Sequence, residues 1–120
     1  LQTWLNGVLP LHDFALSRDG TLTFTNVAET AVAAQSAREY RIRWFAFDNQ
    51  AGTTTPVGDE VSVTEPRAAA PPALLADVPE FVMIELRGIH DRHPGWASPS
   101  RVYFRRQGQA WQLVGVERQP

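Results

Sequence analysis

Apolar residues recur along this chain with a period of two over short stretches, which is the signature of strands with one buried face. Thr21 to Thr25 alternates Leu22 and Phe24 with threonines, follows an Asp19-Gly20 turn pair, and faces Phe14 to Leu16 as a hairpin. Tyr40 to Phe47 sets Tyr40, Ile42, Trp44 and Ala46 against Arg41, Arg43, Phe45 and Phe47, and the first set is the expected core face. After the turn-forming Asp48 to Gly52, Val57 to Thr64 supplies a returning strand around Val61 and Val63. Glu80 to Ile89 separates Val82, Ile84 and Leu86 from Phe81, Met83, Glu85 and Arg87. Arg101 to Arg106 and Ala110 to Glu117 flank Gln107-Gly108-Gln109, a hairpin signal with glycine free to take a left-handed position. Only 27–38, rich in alanine with Asn26 as a possible cap, invites one short helix.

About eight short strands punctuated by Gly, Pro, Asn and Asp predict an all-β antiparallel fold, a β-sandwich or small barrel. The stretch 65–79, with Pro66, Pro71, Pro72 and Pro79 around an Ala-Ala-Ala-Pro-Pro run, reads as an extended crossing with no core of its own. Residues 1–65 carry four arginines and eight acids, whereas residues 66–120 carry seven arginines and five acids. Neither half has a comfortable domain length, so the expectation is a single domain over 1–120, excised from a longer protein.

The segment Tyr40-Arg41-Ile42-Arg43-Trp44-Phe45-Ala46-Phe47-Asp48-Asn49-Gln50-Ala51-Gly52, followed by Val61-Ser62-Val63-Thr64-Glu65-Pro66, resembles the closing strands of a fibronectin type III or related immunoglobulin-like module. The resemblance implies an immunoglobulin-like sandwich. It departs from that pattern downstream, where the chain continues through further strand candidates, and it carries over no functional residue.

Composition removes several chemistries. There is no cysteine, so thiol nucleophiles, zinc-thiolate sites and disulfides are excluded within these 120 residues. All eleven basic residues are arginine, which excludes a Schiff-base lysine and a P-loop and suggests a GC-rich, bacterial source. A net charge of −2 argues against nucleic acid as partner, and no apolar run approaches the roughly 20 residues that a membrane helix needs. No cofactor is implied, and missing cysteine is compatible with either redox compartment.

Candidate sites are few. His90, Asp91 and His93, with His12-Asp13 if the fold brings them near, are the residue types of a metal centre and would suit a small metal-dependent hydrolase. Their bland alternative is a solvated turn ahead of Pro94-Gly95. Asp48, Asn49, Gly52, Asp59 and Glu60 lack the spacing of a calcium loop and read as a hairpin turn. Ser17, Ser36, Ser62, Ser98 and Ser100 lack a nucleophile elbow, and a triad with His90 and Asp13 has no predicted geometry. Among the aromatics, Trp44 and Trp111 belong to the core pattern, whereas Trp96 is the ring expected in a loop, where it would suit stacking on a glycan. Alternation places Arg101, Tyr103 and Arg105 together, opposite Val102 and Phe104, as a surface for another domain or protein. The sum is an expectation of a non-catalytic interaction module.

Overall fold

The computed structural model describes residues 11–26, 39–48, 50–76, 79–89 and 99–118. They form eight strands, β1 (Leu11–Leu16), β2 (Thr21–Asn26), β3 (Glu39–Asp48), β4 (Thr53–Val63), β5 (Arg67–Ala69), β6 (Phe81–Ile89), β7 (Ser100–Gln107) and β8 (Ala110–Arg118), and one short helix, α1 (Pro72–Ala76). A three-stranded sheet has the order β1-β2-β5 and a five-stranded sheet the order β4-β3-β6-β7-β8. Every pairing is antiparallel. The fold is an all-β sandwich, because the inward residues of both sheets share one hydrophobic core.

Alternation decides what enters that core. Phe14, Leu16, Leu22, Phe24 and Ala68 come from the smaller sheet; Tyr40, Ile42, Trp44, Val82, Ile84, Leu86, Val102 and Phe104 come from the larger. Trp44 is the largest fully enclosed side chain and stands opposite Ile84, which in turn stands opposite Val102. Among the described residues its indole Nε1 has no hydrogen-bond partner, so this ring is held by packing alone. Phe24 meets Tyr40 edge to face at 5.1 Å, joining the two sheets by an aromatic pair.

The proline-rich crossing is more than a spacer. Its residues 67–69 form β5 against β2, and Ala68 and Ala70 are buried. Pro72 then opens α1, a position that asks for no N–H, and Leu74 seals the core at 2% exposure. Small side chains explain why the sequence pattern missed this. Alanine is small, and it leaves little hydrophobic contrast to read. The helix expected at 27–38 falls outside the described residues.

The 40–66 segment forms β3 and β4, but β3 is interior to its sheet because β6 pairs along its other edge. The returning strand also begins four residues earlier than expected, at Thr53, directly after Gly52 (φ 69°) closes the turn with its amide on Asp48 O at 2.8 Å. Across β7–β8, Gln107 opposes Ala110, with Gly108 at φ 62° and Gln109 outside the left-handed region, the arrangement of a type II′ turn.

Two experiments test this packing. Trp44→Ala should lower unfolding free energy by about 3–5 kcal/mol, read as a reduced urea midpoint, because the cavity lies where both sheets meet. Gly20 and Gly108 both have positive φ, but a Cβ at Gly20 would lie 2.9 Å from Leu75 Cδ2 and 3.1 Å from Ala70 Cβ, whereas nothing stands within 4 Å at Gly108. Gly108→Ala should therefore cost about 1–2 kcal/mol from backbone strain alone, and Gly20→Ala measurably more in the same denaturation experiment.

Candidate docking face

The outward residues of the five-stranded sheet form cross-strand rows, since β3, β6 and β7 run in register. One row is Arg43, Glu85, Arg101 and Glu117; the next is Phe45, Met83, Tyr103 and Gly115; the third is Phe47, Phe81, Arg105 and Gln112. Arginines and rings thus converge from positions more than fifty residues apart in the chain.

The electrostatics of the face are partly compensated. Glu85 serves two arginines, Arg87 at 3.4 Å and Arg101 at 3.3 Å. Arg105 reaches Glu80 at 3.6 Å and lies over the Phe81 ring at 5.8 Å. Arg43 lies over Phe45 at 5.6 Å, and no carboxylate pairs with it among the described residues. Phe47 meets Phe81 and Tyr103 edge-on at 6.2 and 5.8 Å. Phe47, Phe81, Arg105, Glu80, Thr53 and Thr55 border an open cleft of about 690 Å³ at the β3–β4 turn end of this face.

Tyr103 has a specific setting. Gly115 opposite it has no side chain, and a Cβ there would come 3.7 Å from the Tyr103 ring, so the phenol lies along β8 and donates to the Glu117 carboxylate. Burial of the phenol, then the hydrogen bond to Glu117 and the charge of that carboxylate, push its pKa from 10.0 up to about 12, with Arg101 opposing.

Of the residues singled out in the sequence, Arg101, Tyr103 and Arg105 are brought together on this face as expected. Their neighbours Arg43, Phe45, Phe47 and Phe81 were visible as strand faces but unassigned, because alternation does not reveal which strands adjoin. His90, Asp91, His93 and Trp96 lie outside the described residues, as do Ser36, Asn49 and Ser98. For His12 only the backbone is described, in β1. Among the described residues no cluster of three or more metal-ligating side chains forms. Asp48 Oδ1 instead accepts the amides of Gln50 and Ala51 at 3.0 and 3.1 Å, a turn-stabilising role. Ser17 donates to Asp19 within the β1–β2 turn, while the Ser17 and Thr21 hydrogen bonds hold the Asp19 carboxyl below its ordinary range. Ser100 is buried beside the core at 1% exposure. Trp111, expected inside, is only partly buried and packs on the core from the last strand. Among the described residues, no helix is long and apolar enough to cross a membrane.

The tyrosine provides a pH test. A phenol whose folded pKa lies above its unfolded value of about 10 stabilises the fold fully below pH 10 and loses that contribution as pH rises toward 12. NMR-monitored titration should place Tyr103 near 12. Glu117→Gln should move it part of the way back to 10, since the carboxylate charge is removed while burial persists. In comparisons with known proteins the chain matches no family model, no curated protein and no solved structure, so the face is read from its own chemistry.

Proposed function

We propose that the chain is a non-catalytic module of a larger protein, built on an immunoglobulin-like or fibronectin type III plan, that docks an acidic surface of another domain or protein on the outer face of its five-stranded sheet. The plan is supported by strand order. β1-β2-β5 facing β4-β3-β6-β7 has the connectivity of an A-B-E sheet against C′-C-F-G, with β8 added beyond the last strand. On this plan the 40–66 segment supplies C and C′ rather than closing strands.

The observation that carries the docking role is the in-register meeting of Arg43, Arg101 and Arg105 with Phe45, Phe81 and Tyr103. Arg and Tyr are the side chains most enriched at interface hot spots, where a planar fork and a large ring are fixed at small entropic cost. The Arg105–Glu80 pair is solvent-facing and worth about 0–1 kcal/mol, so a partner's carboxylate can replace it at little cost to the fold. Two guanidinium groups share Glu85, which leaves positive charge for the partner to meet.

The test pairs an interface variant with a control. Arg101→Glu with Arg105→Glu should fold with an unchanged circular dichroism spectrum yet lower affinity for the purified partner by about 100-fold, each reversal contributing about tenfold. Wild-type affinity should also fall with added salt. Hydrogen-exchange protection on binding should map to β3, β6 and β7. Unchanged affinity in the double variant, or protection confined to β1, β2 and β5, would overturn the reading.

A further inference from the structure

A second site lies off the docking face, where two hairpin turns and the helix α1 meet. Arg18 from the β1–β2 turn, Leu75 from α1, and Arg106, Gln109 and Trp111 from the β7–β8 hairpin line an open cavity of about 280 Å³. Arg105 and Arg106 are chain neighbours on a strand, so they leave it on opposite sides: Arg105 lies over Phe81 on the outer face, and Arg106 enters this cavity.

Its lining has an unusual composition. Two guanidinium groups from positions 88 residues apart share one small space, and among the described residues no carboxylate lines it. The acid next in sequence, Asp19, is engaged by the Ser17 hydroxyl and the Thr21 amide. Arg106 uses Nε to donate to Gly108 O at 2.9 Å, which fixes the plane of the guanidinium and leaves its terminal nitrogens to donate elsewhere. The remaining wall is apolar, with Leu75 at 45% exposure and the half-buried Trp111 ring. Leu75 is tied in place from behind, since Gly20 approaches it closely and the Ala70 amide donates to Gly20 O at 2.7 Å.

The geometry points to a binding site for an organic carboxylate carrying a compact apolar group, as at the free C-terminus of a peptide ending in an aliphatic or aromatic residue. Paired guanidinium groups select a planar anion with two acceptor oxygens, and Gln109 adds an amide. Leu75 and Trp111 then reward a ligand with an apolar part, which inorganic phosphate lacks. The volume equals about nine waters of liquid, room for a ligand of roughly ten non-hydrogen atoms. Small size and partial exposure set the affinity for such a ligand at about 1–5 mM.

The test is an NMR titration of the labelled chain with 3-phenylpropanoate, following the Trp111 indole and the Arg18 and Arg106 Nε–H signals. The acid should shift all three, 3-phenylpropanamide none, and inorganic phosphate should bind several-fold more weakly. Arg18→Gln and Arg106→Gln should each weaken binding about tenfold, while Arg105→Gln, on the docking face, leaves it unchanged. Arg18→Gln keeps the test valid if loss of the Gly108 contact perturbs the hairpin in the other variant. Gly-Gly-Phe with a free carboxylate should bind at least as tightly as the acid; a tighter complex identifies a peptide terminus as the source, and an equal one a free small acid. Equal binding of acid and amide, phosphate binding as tight as the acid, or unchanged affinity in Arg18→Gln would overturn the assignment.

Discussion

The pairing of β3 with β6 is the constraint on which the rest of the sandwich depends. It runs from Glu39 opposite Ile89 to Phe47 opposite Phe81 without a break. Because the side-chain period is two, a one-residue slip of β3 relative to its own faces would send Arg41 and Arg43 inward and expose Trp44 and Ile42. Burying two guanidinium groups in place of those side chains would cost far more than the marginal stability of a domain of this size. The hydrophobic contrast on β3 therefore fixes its orientation, and β6 and β7 inherit theirs through an equally regular ladder.

The same ladder that builds the core also writes the outer face, and there it is less well adapted to the isolated chain. Arg41 stands directly opposite Arg87, a like-charge cross-strand pair that is destabilising by itself. Glu39 and Glu85 relieve it at 3.7 and 3.4 Å. Arg87 Nε is nonetheless buried without a partner among the described residues, a cost a stability-driven surface would avoid. Conflicts between local rules and fold stability concentrate where a surface has another task, so these strains fall in line with a docking role for the face.

Much of the strand inventory was legible because burial imposes alternation, and alternation is local. Tyr40, Ile42, Trp44, Val82, Ile84, Leu86, Val102 and Phe104 are all buried as their strand patterns require. Adjacency was not legible, since it depends on which distant strands share an edge. Arg43 and Phe81 could thus be assigned to faces but not to a common site. The alanine strand β5 was missed because Ala68, although buried in the core, is too small to give the alternation much hydrophobic contrast. The pairing of Arg18 with Arg106 around one cavity is beyond any local pattern, for it arises only when two hairpin turns and α1 meet.

The edge strands of the five-stranded sheet are poorly shaped for strand addition. On β4, Pro56 lacks a donor, and two extra residues are accommodated opposite Arg43 between the Ile42–Val61 and Trp44–Val57 pairs. Gly58, at φ 72°, lies in that bulge with Pro71 close against it. On β8, Val114 is the extra residue between the Tyr103–Gly115 and Phe104–Leu113 pairs. Bulges twist an edge and break the even row of amides and carbonyls that an added strand would need. With both edges of the large sheet irregular, the regular surface that remains is the face of β3, β6 and β7. The β7–β8 hairpin contributes Arg105 to that face and Arg106 to the opposite side, so one short ribbon of chain places a cation on each side of the sheet.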